Sequence, residues 1–133
     1  MIRNMSGFTP MIELVRDGIS HLKKALATPF FPEAALQKLF KMFQLIHSCL
    51  ICFVMNNEAN QDILSQHLRL FLSNLELDLG QISLVCEICR DNKLICETFA
   101  DVIMTHLTDA IVSYGHKIAF LEPLIVNFIS VHS

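Results

Sequence analysis

"PEAALQKLFKMFQLIHSCLICFVM", residues 32 to 55, is the stretch that decides the fold. Leu36, Leu39, Phe40, Phe43, His47, Leu50 and Val54 recur at steps of three and four. That is one apolar stripe on a helix of about six turns. Pro32 suits a first helical turn, where its missing N–H would have no partner anyway, and Glu33 lies near the positive end of the helix dipole. The most apolar part, Met42 to Met55, contains Gln44 and His47 and falls short of the roughly 20 residues that cross a bilayer. It reads as a buried helix.

Working outward, the same logic predicts helices along the whole chain. Thr9 followed by Pro10 reads as an N-cap with proline at the first helical position, so a helix is expected to start there, with Gly18 as an interruption, and to stop before Pro29. Asn56 and Asn57 can end the central helix and cap the next, because Asn tolerates left-handed backbone and its side chain accepts a helix-terminal N–H. A short helix is expected through "QDILSQHLRLFL". Asp78 before Leu79 reads as a restart, with Ile82, Val85, Cys86 and Cys89 on one side and Glu87 and Arg90 on the other. Asn92 caps a following helix with the stripe Ile95, Phe99, Val102, Ile103, His106, Ala110 and Ile111, stopped by Gly115. A last helix is expected from about Lys117 to Val131, kinked at Pro123; Glu122 and Pro123 in its middle argue against a membrane span. Period-two alternation and hairpin turn dipeptides are missing. The expectation is a single all-α domain, 1–133, of roughly five to seven helices in successive short-loop hairpins: stacked antiparallel helices, an armadillo/HEAT-like solenoid segment.

Composition agrees with a packed helical chain that also offers surface to other protein. Of 133 residues 53% are hydrophobic and only 17% charged, with a mean hydropathy of +0.47. Ordinary soluble domains are about 25% charged. Exposed apolar patches usually mark contact sites, so part of this surface is expected to dock on protein. The ten Lys/Arg are scattered among thirteen Asp/Glu, giving a net charge of -3. No basic run exceeds Lys23-Lys24, which argues against nucleic acid and anionic lipid as partners. No secretory signal pattern opens the chain, and the five Cys read as reduced thiols.

Two C-x-x-C pairs, Cys49 with Cys52 and Cys86 with Cys89, raise a zinc site, since four thiolates hold zinc tetrahedrally. Their separation exceeds the usual ~15–20 residues of a compact ribbon, and "LIHSCLICFVM" has no Gly or Pro to turn around a metal. Cysteines at i and i+3 share a helical face, so core packing is the preferred reading and zinc the alternative. The six His show no H-E-x-x-H or other paired metal spacing; His47 and His106, inside apolar stripes, read as hydrogen-bonded core residues. Neither a G-x-S-x-G elbow nor a phosphate-binding glycine loop occurs. The sequence points to no enzyme activity, no cofactor and no small-molecule site.

"NEANQDILSQHLRLFL", Asn57 to Leu72, resembles the homology domain shared by inositol trisphosphate receptors and ryanodine receptors, whose pattern has Asn-x-x-Asn-Gln, then a short helix with His and a Leu-Phe-Leu ending. The matching residues are Asn57, Asn60, Gln61, Leu64, His67, Leu70, Phe71 and Leu72. Downstream, His106, Gly115, Phe120 and Leu121 match a hydrophobic helix with His that ends in Gly and leads to a Tyr/Phe-Leu motif. The likeness covers about residues 36–129 and is strongest over 57–72. Physically, Asn57 and Asn60 suit caps at a tight turn, and Leu64, Leu68, Phe71 and Leu72 suit a wedge against long neighbours. The resemblance implies a cytosolic armadillo-like segment of a tetrameric calcium-release channel, on the cytosolic face of the endoplasmic or sarcoplasmic reticulum. There it would transmit conformational change and dock neighbouring domains or subunits. The chain lacks that family's basic inositol-phosphate pocket and its pore helices. The alternative is a free-standing armadillo/HEAT-like protein-interaction module, which would be cytoplasmic.

Overall fold

The computed structural model describes residues 2–115, and side chains from Thr9 onward. Among the described residues there are seven α-helices, one 3-10 turn and no strand. The helices are α1 (Ile2–Ala27), α2 (Glu33–Val54), α3 (Glu58–Ser65), α4 (Leu68–Leu72), α5 (Gln81–Cys89), α6 (Lys93–Thr98) and α7 (Ala100–Tyr114), and the 3-10 turn Leu75–Leu77 lies before α5. The expected final helix with its kink at Pro123, and the family-matched Phe120 and Leu121, lie outside the described residues.

The central helix is as the sequence implied. α2 buries Phe43, His47, Leu50 and Val54, and Asn56, at φ 54, turns the chain so that Asn57 caps α3. Its N-terminal neighbour differs. Helix α1 does not begin at Thr9; it begins at Ile2 and carries Pro10 inside. Thr9 and Pro10 are exposed, so the proline ring points to solvent, and the helix tolerates the loss of one internal hydrogen bond there. Gly18 does not interrupt α1 either. It faces α2, and a Cβ at this position would overlap the buried ring of Phe43; the glycine makes room for that ring against α1.

Three further expectations are corrected. The segment "QDILSQHLRLFL" forms two helices, α3 and α4, broken at Gln66 and His67. Asp78 ends the 3-10 turn in left-handed geometry, φ 50, and does not start α5; Gly80, φ 93, precedes Gln81. The stripe after Asn92 is divided at Phe99 into α6 and α7, and Ile111 faces outward while Leu107 takes a core position.

Packing runs from α1 to α2, from α2 to α3 and α5, from α5 to α3, α4 and α6, and from α4 and α6 to α7. Helix α5 is the hub. Leu84, Val85 and Ile88 are fully enclosed, while Ile82 and Cys86 pack partly buried against the same core. This explains why α5 shows no clean polar face: it meets neighbours around most of its circumference. Leu64, Leu68, Phe71 and Leu72, all within 2% of complete burial, wedge α3 and α4 into this core.

Candidate functional site

The residues that the sequence singled out between Asn57 and Gln61 meet at the junction of four helix ends. The Asn57 side chain accepts a hydrogen bond from Asn60 N–H at 3.0 Å, capping α3. Asn60 Nδ2 donates to Phe53 O at 2.7 Å, taking up a carbonyl at the C-terminal end of α2. One residue on, Gln61 is buried and its Nε2 donates to two carbonyls at the end of α5, Glu87 O and Arg90 O, each at 2.9 Å. Its Oε1 accepts from Asn92 Nδ2 at 3.0 Å. The Asn92 Oδ1 in turn accepts Ile95 N–H at 3.2 Å, capping α6.

Helix ends carry carbonyl and N–H groups with no partner inside the helix, and burying them unpaired is costly. Asn57, Asn60, Gln61 and Asn92 supply those partners. They stitch α2, α3, α5 and α6 into one unit. A second stitch of the same kind is made by Gln81, which accepts Leu79 N–H at 2.6 Å and donates to Asn74 O at 2.7 Å. The caps are legible in the sequence; the Gln61–Asn92 bond and the Gln81 stitch are not. Gln61 stands between Asn60 and Asp62 and has no local mark of burial, and its partner is 31 positions away.

The remaining family-matched residues take packing roles. Leu64, Phe71 and Leu72 are core residues and Leu70 is half-buried. His67 is half-buried at the start of α4 and its carbonyl accepts Leu70 N–H at 3.0 Å; burial, and then the nearby Arg16 cation, lower its pKa. His106 is half-buried, with Nδ1–H donating to Val102 O at 2.8 Å. Gly115, φ 57, ends α7. His47 is the one fully buried histidine among the described residues. Its Nδ1–H donates to Phe43 O at 2.7 Å, its ring stands edge-on to Phe71 with centroids 6.0 Å apart, and Nε2 meets no partner. Burial lowers its pKa, outweighing the opposite pull of the Phe43 carbonyl.

The cysteines divide. Cys89 and Cys96 are buried, the Cys96 thiol donates to Cys89 O at 3.3 Å, and burial raises both thiol pKa values. Cys86 is half-buried, whereas Cys49 and Cys52 are exposed on α2. Core packing thus describes Cys89 and fails for the first pair. The reason is that α2 keeps its buried stripe on the other side. Among the described residues, no three His, Cys, Asp or Glu side chains lie close enough to hold a metal ion.

Among the open grooves, one borders the stitch and another lies beside α7. One, of about 380 Å³ between α2 and α5, is lined by Ile51, Ile82, Cys86, Glu87 and Arg90 among others. The other, of about 250 Å³ beside α7, includes Glu76, His106, Asp109 and Tyr114; the Glu76 carboxylate raises the Tyr114 pKa. No helix among the described residues is long and apolar enough to cross a membrane. Apolar side chains nevertheless face outward, with Met42, Leu45 and Phe53 on α2 and Leu94, Met104, Ile111 and Val112 on α6 and α7. No protein-family model matches the chain, and no solved structure matches it.

Proposed function

We propose that the chain is a helical docking scaffold, a cytosolic solenoid-like segment of an intracellular calcium-release channel of the inositol trisphosphate and ryanodine receptor type. Its work is mechanical: it carries conformational change between neighbouring domains and offers them apolar helix faces. The observation that carries the docking part is the exposure of apolar side chains on α6 and α7, where Leu94 is 72% and Val112 80% exposed although the core beneath them is closed. Large apolar side chains held this far out in water are candidates for protein contacts. The channel part is supported by the resemblance over residues 57–72 and by the roles of Asn57, Asn60 and Gln61. These suit the packing and capping that the resemblance implies.

The test is cross-linking mass spectrometry of the purified chain with a solubilised inositol trisphosphate receptor. Cross-links are expected from α6 and α7 to cytosolic receptor domains, and the doubly substituted Leu94→Asp/Val112→Asp protein, altered only at exposed positions, should lose them. If the unaltered chain gives no receptor cross-links, the channel reading fails and the free-standing interaction module stands in its place.

A further inference from the structure

We propose that the tip of the α1–α2 hairpin is an anchor for an anionic bilayer surface, with Phe30 entering the headgroup boundary and Lys23, Lys24 and Lys38 forming a basic collar around it. Residues 28–32 join the two long helices. Phe31 N–H donates to Thr28 O at 3.4 Å, which closes a turn with Pro29 and Phe30 at its two central positions. Phe30 has φ 60, the left-handed geometry that a type II turn asks of its third residue and that usually selects glycine. A bulky aromatic residue is an outlier there. Its ring gains nothing from the core, since Phe30 is fully exposed. Leu26, Thr28 and Pro29 beside it are exposed as well. Among the described residues, the most exposed large apolar side chain thus stands on a convex tip, held there despite backbone strain.

Charge decides the occupant. Of the ten Lys/Arg four, and of the thirteen Asp/Glu only Glu33, fall within residues 18–57, a net charge of +3 there; the remaining six Lys/Arg and twelve Asp/Glu leave -6 on the rest of the chain. No long basic run marks this in the sequence, because the lysines come from two helices and the hairpin gathers them. Gly18 meets the ring of Phe43, so in antiparallel order Lys23 stands about level with Lys38. Lys23 and Lys24 lie four and three residues before the end of α1, and Lys38 five after the start of α2. That places them about 5–8 Å behind the helix ends. All three are exposed, and lysine stems reach forward from such a level while keeping the ammonium in water. Interfacial apolar groups sink about 5–10 Å into the headgroup and acyl boundary, a depth that brings the collar to the headgroups as Phe30 enters. Asp17, the next acid on α1, is about 15 Å behind its end. Glu33 opposes the attraction and is partly offset by the N-terminal dipole of α2. A convex aromatic point in a basic collar suits a deformable anionic surface, whereas a folded acidic partner would need a preformed pocket for the ring. The inference does not rest on the channel reading, because it holds equally for a free-standing module.

Flotation of the full chain with vesicles of phosphatidylcholine alone, and of an equimolar mixture with phosphatidylserine, tests it. Binding is expected to the mixed vesicles only, and should weaken as salt is raised. Phe30→Gly suits the turn, so helical circular dichroism and thermal unfolding should hold or improve while vesicle affinity falls at least about tenfold, a loss of about 1.4 kcal/mol. Lys23→Gln with Lys24→Gln should weaken binding too, Glu33→Gln should strengthen it, and Lys93→Gln on α6 should leave it unchanged. The chain has no Trp, so Phe30→Trp supplies a single reporter whose emission should shift to the blue on mixed vesicles and be quenched by brominated acyl chains. A chain that ignores mixed vesicles overturns the proposal, as does equal binding to neutral ones, an affinity indifferent to Phe30→Gly, or a Trp at that position that stays in water. Retention on immobilised polyglutamate without vesicle binding would give the tip to an acidic protein partner, which also overturns it.

Discussion

Gln61 joins more elements than any other described polar side chain, because one amide serves the C-terminal end of α5 and the cap of α6 together. Removing it takes the amide partner from the Arg90 carbonyl and from the Asn92 side chain, and leaves the Glu87 carbonyl with the Arg90 N–H alone. Gln61→Ala should therefore cost about 2–3 kcal/mol, read as a lower urea midpoint with an unchanged denaturant slope. His47 makes a different prediction. Its pKa is lowered in the fold by burial, and that of His67 by burial and Arg16. Below the ordinary imidazole value of about 6.5 the unfolded chain binds more protons than the native one. Stability conferred by the neutral rings is thus present above that pH and falls as pH drops below it. Urea midpoints measured from pH 7.5 to 5 should decline, and His47→Phe should flatten the decline; an unaltered slope would exclude His47 as its source.

At the scale of elements, opposing effects meet at Gly18. Helix propensity alone favours alanine over glycine by about 1 kcal/mol. The buried Phe43 ring opposes it, since a Cβ would overlap a ring that is 1% exposed and enclosed by core. Overpacking of this kind costs about 1–3 kcal/mol, and with no room for the ring to move the upper end applies. Gly18→Ala should lower stability by about 2 kcal/mol net, and Phe43→Leu added to it should recover part of the loss in a double-mutant cycle read by thermal unfolding. A stabilised Gly18→Ala protein would mean that α1 and α2 are farther apart than described. The same contact explains why Gly18 misleads as a sequence signal: its lack of a side chain serves an approach of helices and not a break.

For the whole molecule, α5 shows how far local pattern reaches. Its sequence, "QISLVCEIC", suggests a helix with one packed side, but α2, α3, α4 and α6 surround it, so Leu84 and Ile88 are as buried as Val85. The Cys pairs show the converse. Both have the same i, i+3 spacing, yet Cys89 is enclosed and Cys49 and Cys52 face outward. Whether the cysteines at the flank of the α2 stripe are covered as well depends on where α1 and α5 lie, and spacing carries no such information.

The amino-acid sequence by itself determined the helical character, the length and buried stripe of α2, the caps at Asn57 and Asn92 and the stop at Gly115, because these follow from periodicity and from groups a few residues apart. Only the tertiary structure decided that α1 runs through Pro10, that Gly18 admits Phe43, that Gln61 binds Asn92 across the chain, and that the cysteines of α2 lie on an uncovered face. Each of those depends on a partner remote in sequence or on which side of a helix is already occupied, and neither is written in the local pattern.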